Sequence, residues 1–303
     1  MTRRFTTFIG VDLGGARGKT TAVAQLRRGE DGRAWVQSVS TRQHVTREPW
    51  VDDTLLGFVE GLGDDAVVAI DAPLTSPACA RCTVAVCPGV EACVDPAVVW
   101  LRSEGRALSE DAAVAADVVS GGSHTVPRAS VTRAQPTRTR LRLQPYAHRC
   151  TELVVCYERG LLPPSSVGGA VGLVAHRAAH LRRRLLRAGF ELHQNLIEVS
   201  PAATIAALFD RRRARGYKRD ADPWETRAEI IESLSGDLEF APSSRLARED
   251  VLRNDHCFDA VIDAYTAFLW TRDGWQMPGG DAGPFVEDGW IWAPPSQTTS
   301  NRR

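Results

Sequence analysis

Acidic residues stand where the sequence is otherwise most apolar. Asp12 closes the run FIGVD and Asp71 closes the run AVVAID, each of which predicts a buried strand. Glu198 lies inside a third apolar run, NLIEVSP. An ionised carboxylate is costly to bury without a partner, so each of these acids requires a cation, a metal ion or a hydrogen-bond donor beside it.

Two further acids lie on one predicted helix. In the stretch HCFDAVIDA, Asp259 and Asp263 are four residues apart and therefore share a helix face. Stacked like charges mildly destabilise a helix, so we expect a shared cation or unlike environments for the two side chains. A single acid of this kind is commonly a helix cap, a strand-end charge or an exposed charge, but the set as a whole is more specific for a cation site.

The elements that must position these acids follow from the apolar periodicity. The predicted strands cover residues 6–13, 20–27, 34–40, 66–71 and 194–199, and the predicted helices cover residues 49–62, 167–188, 202–215 and the stretch around Asp259. Ligand sites in α/β sheets gather at the carboxyl ends of the strands. We therefore predict an α/β fold, a mixed sheet with helices on its faces, in which Asp12 and Asp71 emerge at the same end.

Four cysteines are crowded into one short segment. Their spacing is Cys-x₂-Cys-x₄-Cys-x₅-Cys, and they are Cys79, Cys82, Cys87 and Cys93. Such a set can hold a structural Zn²⁺ ion or an iron–sulfur cluster, and the unequal spacing with a proline after Cys87 slightly favours [4Fe–4S]. Buried or disulfide-bonded cysteines are the alternative. The remaining three, Cys150, Cys156 and Cys257, fall at helical positions typical of core residues.

Composition sets limits on the protein class. The chain has 303 residues, with 37 basic and 37 acidic residues, so its net charge indicates no partner. No apolar run reaches the roughly 18–20 residues that span a bilayer, and Asp12 interrupts the start before a secretory signal could form, so a cytoplasmic protein without a membrane segment is expected. Seven cysteines in a chain of this length are not typical of a secreted disulfide scaffold.

Local charge is less neutral than the total. Residues 120–142 contain basic residues and no acidic ones, and arginine runs occupy residues 181–187 and 211–215. These segments make nucleic acid a possible partner, although an arginine-rich helix face needs no ligand at all. The tryptophans near the carboxyl end are expected to close the core rather than stack on bases, and residues 296–303 to form a disordered tail.

Several segments together resemble one known family, catalogued as domain of unknown function 429. These segments, in chain order, are FIGVDLGGARGKTTAVAQL, AIDAPLTSP, HRCTELVVCYERGLLP, LIEVSPAATIAALF, GYK, FDAVIDAYTAF and EDGWIWAP. The resemblance implies a ribonuclease-H-like fold related to Holliday-junction resolvases and a nuclease activity. It also implies a single domain over residues 1–295, interrupted by a Cys-rich and basic insertion at residues 75–144.

The resemblance assigns roles to particular side chains. It implies that two Mg²⁺ or Mn²⁺ ions are held by carboxylates, namely Asp12, Asp71, Glu198 and Asp259, with Asp263 as the rival for the fourth place. His256 is spaced as in the resolvases' His-x-x-Asp pattern. The basic residues within the segments that would contact phosphate are Lys218, Arg149 and Arg17, with Lys218 as the first choice. Arg149 and Glu152, three apart, could instead pair on a helix surface.

Two other classes remain open from the sequence. The stretch VDLGGARGKTTAVAQL also resembles the first phosphate loop of actin-like and sugar-kinase-type ATPases, although no second loop of that kind is found. A non-catalytic interaction module stiffened by a metal is the third class. The sequence does not specify whether the substrate is DNA, RNA or a nucleotide, nor the oligomeric state.

Overall fold

A seven-stranded mixed sheet forms the centre of the structure. The computed structural model describes residues 5–15, 20–43, 46–108, 144–161, 169–280 and 283–295. In these ranges the strands are β1 (Thr7–Asp12), β2 (Ala22–Arg28), β3 (Ala34–Ser40), β4 (Ala66–Asp71), β5 (Leu196–Val199), β6 (Leu238–Phe240) and β7 (Ile291–Trp292). Their order across the sheet is β6-β3-β2-β1-β4-β5-β7.

The sheet combines a hairpin meander with parallel strands. β1, β2 and β3 pair antiparallel in succession, whereas β4 pairs parallel to β1 and β5 parallel to β4. The edge strands β6 and β7 pair parallel to β3 and β5. Because β1 and β4 are parallel neighbours at the centre, their carboxyl ends meet at one end of the sheet.

Helices cover both faces of the sheet. Within the described residues they are α1 (Asp52–Glu60), α2 (Ala78–Arg81), α3 (Pro96–Arg102), α4 (Cys150–Arg159), α5 (Gly169–Arg187), α6 (Pro201–Leu208), α7 (Arg211–Arg219), α8 (Pro223–Ser233), α9 (Arg245–Arg253), α10 (Asp255–Asp273) and α11 (Phe285–Asp288). α10 packs on one face of the sheet, and α1 and α5 pack on the other. None of the described helices has the length and apolarity needed to cross a membrane.

Strand alternation divides the core into two layers. Phe8 of β1 packs toward α10, whereas its neighbours Ile9 and Val11 pack toward α1 and α5. α10 is buried along nearly its whole length, which explains why its sequence is apolar on all sides. The fold is thus mixed α/β, as predicted, and the two layers place side chains of alternate strand positions in different environments.

The predicted elements agree with the structure in most places. The strands predicted at residues 6–13, 20–27, 34–40, 66–71 and 194–199 are present with small shifts of their ends. The single helix predicted over residues 202–215 is wrong, because Asp210 accepts a hydrogen bond from the Arg213 amide and caps a separate helix, α7. The short edge strands β6 and β7 were not predicted.

Part of the predicted insertion lies within the described residues. Residues 75–108 contain α2, a 3₁₀ turn at Val90–Ala92 and α3. The basic segment 120–142 and the tail 296–303 lie outside the described residues, so both predictions stay untested. Trp270 and Trp292 are almost fully buried and their rings pack on each other, which confirms that they belong to the core.

Gly10 lets α10 lie directly on β1. A Cβ atom at this position would come within 1.9 Å of the Ala260 carbonyl oxygen and 2.4 Å of the Ala264 nitrogen, both in the α10 backbone. Backbone atoms cannot swing aside as a flexible side chain can. The absence of a side chain at residue 10 therefore sets the distance between the strand that carries Asp12 and the helix that carries Asp259.

Replacing Gly10 with alanine is expected to destabilise the protein by about 3 kcal/mol, the upper part of the usual range for overpacking. The measurement is chemical denaturation of the parent and the variant. Gly57→Ala is the matched control, because Gly57 is exposed on α1 and a Cβ there would meet nothing within 4 Å. The control is expected to be neutral or stabilising by up to about 1 kcal/mol. Equal effects at the two glycines would show that close helix contact at Gly10 is not required.

Candidate metal centre

Three aspartates converge at one end of the sheet. Asp12 and Asp71 are the last residues of β1 and β4 and are direct partners in the register of this parallel pair. Asp259 approaches them from the second turn of α10. One carboxylate oxygen from each of the three lies within 4.8 Å of the other two. In the described part of the chain, no other group of three His, Cys, Asp or Glu side chains is this close.

The group is accessible from one side. Asp259 is fully buried under α10, whereas Asp12 and Asp71 are partly exposed at the strand ends. A ligand held by the three oxygens would therefore stay within reach of a molecule in solution. The prediction that Asp12 and Asp71 emerge together is confirmed by their pairing in the sheet.

Asp263 lies one turn beyond Asp259 on the same face of α10. It is fully buried, and neither of its carboxylate oxygens has a hydrogen-bond partner. Buried polar groups are rarely left without partners, so such a group in a native fold calls for an explanation. Asp259 belongs to the three-aspartate group and Asp263 stands beside it as a fourth, unpaired carboxyl.

Burial and mutual repulsion raise the pKa values of these carboxyl groups. The pKa of Asp71 is raised well above its ordinary value by burial and then by the charges of Asp12 and Asp259. Burial raises the pKa of Asp259 to about 7, against the opposing effect of Lys218. The pKa of Asp263 is raised for the same reasons, first burial and then Asp71. A divalent cation among these oxygens would favour their ionised forms.

Replacing Asp263 with asparagine is expected to stabilise the metal-free protein by about 1–2 kcal/mol at pH 8, because a buried carboxyl with a raised pKa opposes folding where the unfolded chain is ionised. The gain should shrink as the pH falls toward the ordinary carboxyl pKa, where Asp263 is protonated in both states. Thermal melts of both proteins in a chelator between pH 8 and pH 4 measure this. A gain that does not change with pH would contradict this cause.

Lys218 reaches the aspartates from α7. Its ammonium group forms an ion pair with Asp259, although its side chain is 40% exposed. The pKa of Lys218 is raised, because the charge of Asp259 outweighs the effect of burial. The ammonium also lies 5.4 Å from the centre of the Tyr217 ring. The sequence motif GYK thus lies at the site, on a helix rather than in a loop.

His256 contacts the group from the first turn of α10. Its Nδ1 atom lies 2.5 Å from the Asp12 carboxylate. Asn254 caps the helix by accepting a hydrogen bond from the His256 amide, which fixes the position of the imidazole relative to β1. The hydrogen bond with Asp12 raises the pKa of His256. The His-x-x-Asp spacing predicted from the sequence therefore brings both residues to the same place.

Glu198 is not brought to the aspartates. It belongs to the apolar layer opposite α10, since its sheet partner Ile70 and its neighbour Leu196 both pack toward α1 and α5. Its carboxylate accepts hydrogen bonds from Arg149, at 2.6 and 2.8 Å, and from the Leu74 amide at 2.9 Å. Strand alternation is the physical reason, because Glu198 is one position out of phase with Asp71.

Arg149 is a structural residue in this fold rather than a neighbour of the aspartates. It is 1% exposed and pairs with both Glu198 and Glu152. The pairing of Arg149 with Glu152 that the sequence left open does form, but both side chains are buried rather than on a helix surface. The charges of the two glutamates raise the pKa of Arg149 despite its burial. Arg17 lies outside the described residues.

Tyr217 is the site residue that the sequence did not reveal. It is buried, its ring packs against Phe258 with ring centres 5.2 Å apart, and burial followed by the charge of Asp259 raises the pKa of its hydroxyl. Arg227 holds this end of α7 by donating a hydrogen bond to the Tyr217 carbonyl oxygen. The sequence feature that could have indicated Tyr217 is its position next to Lys218 in GYK. That position alone does not distinguish a core tyrosine from a site residue.

The four cysteines of the predicted metal motif are present as free thiols. Cys79, Cys82 and Cys87 are exposed and Cys93 is half-buried. Among the described residues, no three of their sulfur atoms lie within 4.8 Å of one another. Cys150 and Cys257 are buried, as predicted for core residues, whereas Cys156 is only half-buried.

The fold and the site define a mixed α/β protein with three aspartates gathered at the carboxyl ends of its central strands and the amino end of a buried helix. Residues 167–282 match the model of one family, described as Protein of unknown function (DUF429). This match supports the family assignment predicted from the sequence, and the matched part includes Lys218 and Asp259. No curated protein and no solved structure matches the chain significantly.

Proposed function

We propose that this protein is a metal-dependent nuclease. Asp12, Asp71 and Asp259 would form the metal site at which phosphodiester bonds are hydrolysed. The observation that carries the proposal is the convergence of three carboxylate oxygens within 4.8 Å, from two strands and a helix that are distant in sequence. Buried and partly buried carboxylates rarely converge without a cation, because burial and mutual repulsion both cost stability. A site that tolerates such a cost is commonly functional.

The donor set fits a hard divalent cation. Mg²⁺ and Mn²⁺ prefer oxygen ligands, and these three aspartates offer only oxygens. Asp263, buried next to the group without a hydrogen-bond partner, would add further negative charge once a bound cation favours its ionised form. When bound, Mg²⁺ or Mn²⁺ would activate a water molecule and stabilise the leaving oxygen of an in-line displacement.

The surrounding residues have roles that follow from their contacts. Asp12, Asp71 and Asp259 would hold the cation, and His256 would fix the orientation of the Asp12 carboxylate through its hydrogen bond. Lys218 is half-exposed, so its ammonium can leave Asp259 for a substrate phosphate when a cation takes that carboxylate. Glu198, a predicted ligand, would instead position the chain after Asp71 through its bond with the Leu74 amide.

A basic helix borders the acidic group and favours a nucleic-acid substrate. α7 carries Lys218 into the site, and the rest of its outer surface is rich in arginine, with Arg211, Arg212, Arg215 and Arg219 exposed. Basic side chains in a row bind a phosphate backbone without regard to sequence. An acidic centre with a basic border is the charge arrangement that metal-dependent cleavage of a polyanion requires.

The fold proposed for this activity is ribonuclease-H-like. The central strand order β3-β2-β1-β4-β5, with β2 antiparallel to both its neighbours, supports it, as does the position of the aspartates at the ends of β1 and β4. The family match does not extend to Asp12 or Asp71, so their convergence with Asp259 is an independent observation.

Replacing Lys218 with methionine is expected to separate binding from catalysis. Metal affinity should stay equal or increase, because the ammonium competes with the cation for Asp259, while cleavage should fall about 10²-fold, as for loss of one charged donor at a reacting phosphate. Mn²⁺ titration calorimetry and single-turnover cleavage measure the two quantities. Arg219→Met, which removes an exposed charge from the same helix, is the control. Parallel losses of affinity and cleavage in Lys218→Met would contradict the phosphate role.

The proposed function is tested by incubating the purified protein with labelled nucleic acids in Mg²⁺, in Mn²⁺ and in a chelator. The panel contains single-stranded and duplex DNA, a four-way DNA junction, single-stranded RNA and an RNA–DNA hybrid. We expect at least one substrate to be cut in either metal and none in the chelator. No cleavage of any substrate in either metal, by protein that binds Mn²⁺, would overturn the proposal.

The same preparations separate the other two classes. Metal-dependent hydrolysis of ATP without cleavage of any nucleic acid would favour the actin-like or sugar-kinase-type alternative. A protein that cleaves no nucleic acid and hydrolyses no ATP, and whose stability and metal binding do not change when Asp12 is replaced, would favour a non-catalytic interaction module.

A further inference from the structure

A second set of ligand-type side chains lies in the segment that follows β4. Cys79 is on α2, Cys82 directly follows α2, and Cys93 directly follows the 3₁₀ turn at Val90–Ala92. Cys82 and Cys93 have nearly the same backbone conformation, with φ and ψ of −67° and 133° at the first and −68° and 134° at the second. Two short helical turns thus present a cysteine in the same manner, one from each half of the segment.

The segment that carries these cysteines has no apolar core of its own. Residues 82–92 are all exposed, including Val84 at 62% and Val86 at 81%. Fixing a chain in one conformation costs conformational entropy, which buried apolar area normally offsets. Since burial cannot supply that offset here, the defined turns of this segment need another source of order.

Polar contacts hold the cysteine-bearing backbone at two places. The Arg102 guanidinium donates hydrogen bonds to the carbonyl oxygens of Val90, Glu91 and Cys93, at 2.8, 2.6 and 3.3 Å. Arg81, between the first two cysteines, pairs with Asp95 at 3.2 Å. The Arg102 contacts hold the second half of the segment, and the Arg81–Asp95 pair joins the first half to the residues that follow Cys93.

The sulfur atom of Cys82 has a backbone neighbour of the kind that a ligating thiolate would have. The Val84 amide donates a hydrogen bond to Cys82 Sγ at 3.5 Å, which is the kind of outer-shell contact that stabilises a ligating thiolate. The motif spacing, the paired turns and the amide-to-sulfur bond are independent observations.

We propose that Cys79, Cys82, Cys87 and Cys93 bind one tetrathiolate metal centre, either a Zn²⁺ ion or a [4Fe–4S] cluster, that cross-links this segment. Binding requires a small closure of the four sulfur atoms and releases the thiol protons to solvent. Both occupants are held by four cysteine thiolates, and the four sulfurs alone do not select between them.

The centre would brace the chain that leaves the aspartate group. Arg81 pairs with the buried Asp288 at 3.2 Å, and the Thr75 hydroxyl donates a hydrogen bond to the Asp288 carbonyl oxygen at 2.6 Å. Thr75 lies four residues after Asp71 and also accepts a hydrogen bond from Arg149. A metal between the cysteine pairs would therefore hold Arg81, and through Asp288 the loop that follows β4.

The test is the metal content of the full chain, purified without oxygen and without a histidine tag, from cells supplied with both zinc and iron. About one zinc per chain with four sulfur neighbours at about 2.3 Å by X-ray absorption supports the proposal, and so do about four irons with acid-labile sulfide and absorbance near 400 nm. Neither metal above a tenth of an equivalent would overturn it, as would a disulfide between any two of the four cysteines.

The variants make the assignment specific. Cys87→Ser is expected to lose the metal and to melt at a lower temperature, whereas Cys156→Ser, at a half-buried cysteine on α4, should keep it. If Cys87→Ser fails to fold, alkylation of the metal-loaded parent decides instead: the four thiols should be protected until the metal is removed. Metal retained by Cys87→Ser would contradict the site. These readouts do not depend on cleavage, so they are unaffected if the nuclease proposal fails.

Discussion

Asp71→Asn is expected to abolish metal-dependent cleavage while the protein stays folded. Asparagine keeps the shape of the side chain but removes the charge that would hold the cation between β4 and its partner strand β1. Metal-ion catalysis stabilises the transition state by several kcal/mol, and each 1.4 kcal/mol changes the rate about tenfold. We therefore expect the cleavage rate to fall about 10³-fold or more. Single-turnover cleavage of the best substrate in Mg²⁺ measures it.

The control for this variant is Asp64→Asn, which makes the same chemical change at an exposed aspartate in the turn before β4. It should cleave as the parent does. Thermal melts without metal show whether Asp71→Asn is folded, and it should be as stable as the parent or more so, because one of the repelling carboxylates is gone. Cleavage by Asp71→Asn within tenfold of the parent would exclude Asp71 as a ligand of the catalytic metal.

Arg149→Met is expected to cost about 3–5 kcal/mol of unfolding free energy, the largest effect on stability that the structure predicts. The substitution retains an apolar side chain of similar length but leaves Glu198 and Glu152 buried without their cation. Denaturant titration with intrinsic tryptophan fluorescence is the measurement. The expected loss of stability comes from leaving two buried carboxylates without a cation. The net contribution of the ion pairs to stability is smaller than this loss.

A second substitution tests this cause. Adding Glu198→Gln to Arg149→Met should recover part of the lost stability, since it removes one of the stranded charges. Arg183→Met, at an exposed position on α5, is the control and should change stability by less than about 0.5 kcal/mol. If Arg149→Met costs no more than this control, or if Glu198→Gln adds a further loss, the buried ion pairs do not have the structural role inferred from their contacts.

The aspartates could be predicted because strand ends are visible in a sequence. FIGVD and AVVAID are apolar up to the acid, so the acid marks the carboxyl end of each strand, and parallel neighbours bring such ends together. Glu198 follows the same pattern, but the prediction that it joins the aspartates is wrong for a physical reason. β5 is only four residues long and is apolar on both faces, so neither its register nor the face of Glu198 can be deduced from its sequence.

The contacts around the aspartates were less predictable for other reasons. Gly10 is one of many glycines, and only the structure shows that α10 lies on it. The break between α6 and α7 depends on Asp210 as a cap inside a run that otherwise continues a helix. β6 and β7 have three and two residues, too few for any periodicity. A site role for Lys218 was predicted from its GYK motif. Its ion pair with Asp259 was not predicted, because the two residues are far apart in the sequence.

The most direct test is a crystal structure of the protein grown with Mn²⁺, with the metal located by its anomalous scattering. We expect at least one manganese ion within about 2.0–2.4 Å of carboxylate oxygens of Asp12, Asp71 and Asp259, and the ammonium of Lys218 displaced from Asp259. Saturating Mn²⁺ with no peak at these three aspartates, or with a peak only elsewhere in the protein, would contradict the metal centre on which the proposed nuclease activity depends.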